Sequence, residues 1–217
     1  MYIKENYLKI IDDSVKLKNK VILEIGCGGG NKTVQIAKMC KMVVAIDNNL
    51  PRILDAKKEN QSSNITYTQS SANPLLFEDK SFDVVIFTLS LHHLSKNEMR
   101  SAIKEAIRVT VSSGIIIFLE PTNNGSFFEA AIIFGSSDGD ERLQKAYAYF
   151  EILNTKGYRE IYEGFWKTTF LFDSKNDFVV SLRPKINLNN IDTFLKKKNY
   201  RLEAEGRVNI FEVSHSI

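Results

Sequence analysis

The chain has 217 residues, of which 43% are hydrophobic and 25% are charged. This length suffices for one well-buried domain and is too short for two of ordinary size, and the composition excludes a disordered chain. The formal net charge of +3 is too small to indicate a nucleic-acid partner, which usually calls for a concentrated basic face. No apolar run approaches the roughly 18 residues that a membrane helix needs, so no membrane association is expected.

Targeting and redox signals are also weak. Residues 1–17 carry six charged side chains and lack the apolar core of a signal peptide. The two cysteines, Cys27 and Cys40, form neither a disulfide framework nor a metal-ligand spacing. We therefore expect a reduced, cytoplasmic protein with no metal site, and the sequence leaves its oligomeric state open.

Short apolar runs alternate with helical patterns over the first 120 residues. The predicted strands are 21–25, 42–46, 65–69, 82–89 and 115–119. The predicted helices are 33–39, 50–59 and 96–109. Ser95 and Glu98 form a capping box before the last of these helices. Apolar strands that alternate with helices predict an α/β fold, a doubly wound and mostly parallel Rossmann-like sheet of seven strands with helices on both faces.

The regular alternation of predicted strands and helices ends after Pro121. Residues 123–184 contain two helical patterns and many aromatic side chains without a clear strand, and we interpret them as an inserted cap. This cap and the N-terminal helical segment 1–17 are expected to cover the core, 18–122, with Gly164 as a hinge. Residues 185–217 then predict a terminal helix followed by two antiparallel strands, 200–205 and 208–213, joined by a turn at Gly206.

The most informative stretch is the run from Glu24 to Gly30, where a strand enters a glycine-rich loop. A dinucleotide fingerprint, G-x-G-x-x-G, would need a third glycine at Asn31 or Thr33, so that interpretation fails. A buried carboxylate before the loop needs a donor or a cation. Glu24 therefore favours a ligand with an amino group over a pyrophosphate.

Asp47 is a second acid, and it ends the second strand. Open α/β sheets bind ligands at the carboxyl ends of their strands, where a carboxylate can accept hydrogen bonds from both hydroxyls of a ribose. The alternative is that Asp47 only caps the following helix.

These residues resemble the motifs of class I S-adenosylmethionine-dependent methyltransferases, in the correct order from residue 21 to residue 121. Residues 24–30 resemble the first motif, Asp47 matches the ribose-binding acid, and residues 75–85 resemble the run into the fourth strand. His92 and His93 lie in the segment that often follows this strand in small-molecule members.

The resemblance implies S-adenosylmethionine as the cofactor and S-adenosylhomocysteine as its product. Its implied contacts are Glu24, Gly26, Cys27, Gly28, Asp47, Asn48, Ser71, Ala72 and Leu89. One departure is Ser71, where the family often has an aspartate that accepts from the adenine amino group; the backbone of Ala72 is then the remaining contact.

Methyl transfer is an in-line displacement on an activated carbon, and a general base is needed only if the acceptor must lose a proton. His92 and His93 are the candidate bases; the alternative is that they only line or cap the strand end. We expect a small-molecule acceptor that the sequence does not identify. The alternatives are a methyltransferase of RNA or protein and a cofactor-binding module without transferase activity.

Overall fold

The computed structural model describes residues 1–136 and 139–214. The strands are β1 (Tyr2–Lys4), β2 (Val21–Ile25), β3 (Met42–Asp47), β4 (Ile65–Gln69), β5 (Phe82–Thr88), β6 (Thr110–Pro121), β7 (Tyr158–Leu171) and β8 (Arg201–Val213). The α-helices are α1 (Tyr7–Ser14), α2 (Thr33–Ala37), α3 (Leu50–Glu59), α4 (Lys96–Val109), α5 (Ser126–Phe134), α6 (Arg142–Asn154), α7 (Lys175–Leu182) and α8 (Ile191–Lys197). Short 3₁₀ turns lie at Leu91–His93 and Leu188–Asn190. Residues 137–138 of the predicted cap and residues 215–217 of the predicted terminal region lie outside the described residues.

The described residues form one eight-stranded mixed sheet in the order β1-β7-β8-β6-β5-β2-β3-β4. The five strands from β6 to β4 are parallel, whereas β8 pairs antiparallel with both β6 and β7. The mostly parallel α/β fold is confirmed, but the predicted count of seven strands is wrong. Two strands were not predicted, β1 in the N-terminal segment and β7 in the cap, and they pair with each other. The two predicted terminal strands form one, β8.

The strands and α-helices between residues 21 and 109 agree with the sequence patterns. β2, β4, α3 and α4 have the predicted bounds. The capping box is present, since the Ser95 hydroxyl accepts from the Glu98 backbone while the Glu98 carboxylate accepts from the Ser95 backbone. Local signals suffice here because each strand is buried and each helix has a distinct start.

The predicted cap contains a strand of the main sheet. β7 runs through its middle and pairs with β8 over its whole length, with an irregularity between Glu160 and Tyr162. This bulge and the partly exposed faces of β7 break the apolar–polar alternation that would predict a strand from the sequence. Gly164, predicted to be a hinge, lies within this strand opposite Val208, so the hinge prediction is wrong.

The predicted terminal strand pair is also wrong, because residues 201–213 form the single strand β8. Gly206 lies opposite Trp166 of β7. A Cβ at this position would lie 2.1 Å from the indole Cζ2 of Trp166. Gly206 is therefore explained by the side chain that crosses it and not by a turn.

Helices cover both faces of the sheet. One hydrophobic cluster joins α1, α2 and α3 to one face, and a second joins α4 and α6 to the other. A smaller third cluster packs α5, α7 and α8 around Phe172 and Leu202. The chain order reverses between β2 and β5, which are neighbours in the sheet, so a ligand site is expected at their carboxyl ends. Among the described residues, no helix has both the length and the apolar character needed to cross a membrane.

Candidate active site

The glycine loop after β2 is shaped by its backbone. Gly26, Gly28 and Gly30 have φ angles of +80°, +53° and +81°, which other residues adopt only with strain. A Cβ on Gly26 would lie 2.2 Å from the Cβ of Ser90, and one on Gly30 would lie 2.5 Å from the hydroxyl of Tyr67. The loop therefore cannot accept side chains at its two ends, and it turns tightly beside β5.

Asp47 at the end of β3 faces this loop. Its Oδ2 accepts a hydrogen bond from the Gly28 backbone at 2.9 Å, and its Oδ1 accepts one from the Asn49 backbone at 2.9 Å. Asn49, not Asp47, caps α3 through its side chain. Asp47 is half-buried and Asn48 is exposed, so each carboxylate oxygen of Asp47 can still accept from a ligand at the open side.

Glu24 lies under the loop and is fully buried. Its Oε1 accepts from the Thr88 hydroxyl at 2.9 Å, whereas its Oε2 has no hydrogen-bond partner among the described residues. The hydroxyl of Tyr7 is likewise buried without a partner. Burial raises the pKa of the Glu24 carboxyl, although the hydroxyls of Thr33 and Thr88 and the charge of Lys32 oppose this rise. The Thr33 hydroxyl is also buried, without a partner in good hydrogen-bond geometry among the described residues. Because these atoms are enclosed by the protein, they do not lie on a surface that a ligand reaches.

Ser71 and Ala72, the predicted adenine contacts, follow the carboxyl end of β4. The Ser71 hydroxyl donates to the Asn73 carbonyl at 2.9 Å and accepts from the Asn73 backbone at 3.1 Å. It is thus engaged locally, while Ala72 is half-buried beside it. Leu89, at the end of β5, is half-buried with a φ of +55° and lines the cavity described below.

His92 is held by a carboxylate that the sequence did not mark as functional. Its Nδ1 forms a short hydrogen bond with Oε2 of Glu120, and both side chains are buried. Oε1 of Glu120 also accepts from the backbone of Leu91 at 3.0 Å and of Ser90 at 3.3 Å. Glu120 therefore fixes the turn Leu91–His93 and the orientation of the imidazole at once.

A second carboxylate faces both histidines. Nε2 of His92 lies 3.9 Å from Oε2 of Glu141, and Nδ1 of His93 lies 3.4 Å from Oε1. The Lys145 ammonium lies 3.6 Å from the same carboxylate. Burial works to raise the pKa of the Glu141 carboxyl, but the hydrogen bond with His93 and the neighbouring positive charges outweigh it and hold the pKa below its usual value.

These histidines form part of the wall of a cavity of about 830 Å³. The cavity is lined by six parts of the chain: the N-terminal segment, the start of α2, the residues after β5, the segment after β6, and stretches of β7 and β8. Its aromatic lining consists of Phe127, Phe128, Trp166 and Phe170, with Tyr2 at the N-terminal side. This volume suits a small molecule.

The N-terminal segment is tied across the glycine loop. The Lys32 ammonium lies 2.7 Å from Glu5 and 4.5 Å from the ring centroid of Tyr7. Tyr7 in turn packs against Trp166 of β7, with ring centroids 5.9 Å apart. The segment thereby closes one side of the cavity.

Sequence reasoning missed Glu120 and Glu141. Glu120 ends a buried apolar strand in the same way as Glu24 does, so the argument from a costly buried carboxylate would have found it. Glu141 has no such signal, since it precedes α6 in a segment that only the tertiary structure brings to the histidines.

Comparisons with known proteins agree with this geometry. The profile of the family described as "Methyltransferase domain" matches residues 23–118. An uncharacterized methyltransferase of Synechocystis is 32% identical over 115 residues, which cover 52% of this chain and 53% of that protein. A ubiquinone biosynthesis O-methyltransferase of Pelagibacter ubique is 32% identical over 119 residues, 53% of this chain and 49% of that protein. The matched region thus spans about half the length of these curated relatives.

A crystal structure of a methyltransferase candidate from Bacillus halodurans has a TM-score of 0.70 at 17% identity, and the match covers 97% of this chain and 99% of that one. The fold, the glycine loop and the strand-end carboxylates agree with the methyltransferase domain that these proteins share. The similarity to that domain extends over residues 23–118, a little under half of the chain.

Proposed function

We propose that this chain transfers a methyl group from S-adenosylmethionine to a small-molecule acceptor bound in the cavity beside His92. The observation that carries the proposal is the cavity of about 830 Å³, which is lined by Leu89 and His92 after β5, by residues that follow the glycine loop, and by the two covering segments. The cofactor is the one implied by the similarity to methyltransferase domains. The acceptor and its place in the cavity are our inference.

The residues fit this cofactor. Asp47 would accept from the ribose hydroxyls while Asn48 flanks the adenine, and the fully buried Glu24 would organise the glycine loop from beneath. Gly26, Cys27 and Gly28 would pass under the methionine part. Ser71 is engaged with its own loop, so we assign the adenine contact to the backbone of Ala72 and the apolar contact near the sulfur to Leu89.

The protein's contribution to the reaction is to position the acceptor and to exclude water. Once bound, the cofactor supplies a methyl group on a sulfonium, which needs no further activation. The aromatic side chains and the bridge between Lys32 and Glu5 close the cavity over the strand ends. A water-free, oriented encounter of the two reactants accounts for most of the rate gain in such a displacement. The general-base role of His92 and His93 stays a prediction.

The charges of the cavity favour a small acceptor over RNA. Its described lining carries three lysines and three glutamates. Lys32 is bridged to Glu5 at 2.7 Å, and Lys145 lies 3.6 Å from Glu141. A nucleic-acid site would instead need cations facing phosphates. The cavity volume of about 830 Å³, as the described residues enclose it, also argues against a module without transferase activity, since it leaves room for an acceptor. The cytoplasmic location expected from the cysteines stays a prediction.

Isothermal titration calorimetry with S-adenosylmethionine, S-adenosylhomocysteine and NAD tests the cofactor, and a mass-spectrometric screen of small acceptors for a gain of one methyl group tests the reaction. We expect binding of both sulfur compounds and none of NAD. Tight NAD binding without a response to the sulfur compounds would refute the proposal. Methylation of RNA or protein in place of every small acceptor would refute the substrate class alone.

A further inference from the structure

The described residues bring together three side chains that can ligate a metal: His92, His93 and Glu141. Their donor atoms all lie within 4.8 Å of one another. The two measured nitrogen-to-oxygen separations are 3.9 Å and 3.4 Å. In a tetrahedral zinc site with bonds of about 2.0–2.1 Å, neighbouring ligand atoms are roughly 3.3 Å apart. Small rotations of the side chains would therefore bring these atoms to ligand spacing.

From this geometry we infer that His92, His93 and Glu141 form a binding site for a divalent transition-metal ion of the Zn²⁺ type in the wall of the cavity. Two imidazole nitrogens and one carboxylate are a donor set that such ions prefer over Mg²⁺ and Ca²⁺. Three protein ligands leave a fourth position, which here opens into the cavity lined by the same residues.

Glu120 provides an independent observation in favour of the site. Histidine ligands commonly donate their other ring nitrogen to a carboxylate, which fixes the tautomer and the direction of the ring. Nδ1 of His92 is bonded to buried Glu120. The remaining nitrogen, Nε2, is therefore the one that faces Glu141. An imidazole that only capped the turn would not need this second carboxylate opposite it.

Lys145 is the competing cation. Its ammonium lies 3.6 Å from Oε2 of Glu141 and 4.5 Å from the ring centroid of Phe128. A bound metal would repel it and compete with it for the carboxylate. Replacement of Lys145 by glutamine should consequently strengthen metal binding, which a purely structural cluster would not do.

A contact between the metal ion and a methyl acceptor rests on the proposed function. The metal site formed by His92, His93 and Glu141 does not depend on that function. An ion there would attract an oxygen or nitrogen atom of the acceptor to the cavity wall. Metal binding is measurable without cofactor or acceptor, so the two proposals fail separately: a chain that binds the metal and not S-adenosylhomocysteine would refute only the proposed function.

The test is a titration of the chelator-treated full chain with Co²⁺, followed by visible absorption, and competition with Zn²⁺. We expect one Co²⁺ per chain with the d–d bands of a four-coordinate centre. His93→Gln and Glu141→Gln should lower the affinity more than tenfold, Glu120→Gln by roughly 10- to 100-fold, and Lys145→Gln should raise it. His93 and Glu141 are not core residues, with side chains 48% and 17% exposed, and unchanged S-adenosylhomocysteine binding would show that the variants fold.

Three results would overturn the inference. The first is a chain without stoichiometric Co²⁺ binding. The second is binding that survives both His93→Gln and Glu141→Gln. The third is binding that is lost in His215→Gln, which removes the third histidine of the sequence, and kept in the cavity variants.

Discussion

Asp47 provides the sharpest test of the cofactor site, because its role in holding the glycine loop can be separated from its proposed role in binding a ribose. Its carboxylate already accepts from the backbones of Gly28 and Asn49, each at 2.9 Å. A ribose would add two charge-assisted hydrogen bonds, each worth about 1.5–3 kcal/mol. Asp47 is half-buried, and water can enter an Asp47→Ala site. We therefore expect Asp47→Ala to reduce the binding free energy by about the value of one such hydrogen bond, which corresponds to a Kd weaker by roughly ten- to hundredfold.

Asp47→Ala should also cost stability, since two backbone donors lose their partner at about 0.5–1.5 kcal/mol each. Calorimetry with S-adenosylhomocysteine measures the affinity, and urea unfolding measures the stability. Asp55→Ala, which removes an exposed carboxylate on α3, is the matched control and should change neither.

The two roles are distinguished by an S-adenosylhomocysteine analogue that lacks the ribose hydroxyls. If Asp47 binds these hydroxyls, the losses from Asp47→Asn and from the deoxy analogue overlap and do not add. If Asp47 only holds the glycine loop, the two losses are additive. Additive losses, or a folded Asp47→Ala variant with the affinity of the natural chain, would refute the assignment of Asp47 to the ribose.

Three further predictions follow from the packing and the charges. Gly206→Ala should lower the free energy of unfolding by about 1–3 kcal/mol, because its Cβ would overlap the indole of Trp166 on the neighbouring strand. The control Gly29→Ala has nothing within 4 Å of its Cβ and should be nearly neutral. Equal midpoints of urea unfolding for the two variants would contradict this prediction. The hydrogen bond from Arg108 holds the pKa of Glu105 below its usual value. The stability that this pair contributes is therefore present above the ordinary carboxyl pKa, and it is lost as the pH falls through the lowered pKa of Glu105 in the folded protein. The difference in Tm between the natural chain and Glu105→Gln should thus be largest near pH 7 and vanish in acid, and a difference that is constant with pH would be evidence against the pair. Phe128→Ala should raise the KM of an acceptor found by screening or change the acceptor preference, with the Kd of S-adenosylhomocysteine within about twofold of the original; a parallel loss of both would place Phe128 in the cofactor site instead.

Much of the cofactor half was determined by the sequence alone. The buried strands, the positive-φ glycines and the acids at strand ends are local features, and each leaves a local pattern. Glu24, Asp47 and the loop between them could be recognised because a buried carboxylate or a forbidden φ angle restricts the residue types at one position. The helices before residue 110 were predictable for the same reason.

Only the tertiary structure revealed how β7, β8 and Glu141 are arranged around the cavity. β7 is recognisable as a strand through its pairing with β8, not through its own pattern, because its bulge and its partly exposed faces break the alternation. Gly206 has the appearance of a turn until Trp166 is found opposite it. Glu141 meets His92 and His93 across a gap of about 50 residues in the chain. Contacts of this kind depend on how distant segments pack, and since no local backbone preference encodes them, residue patterns alone do not reveal them.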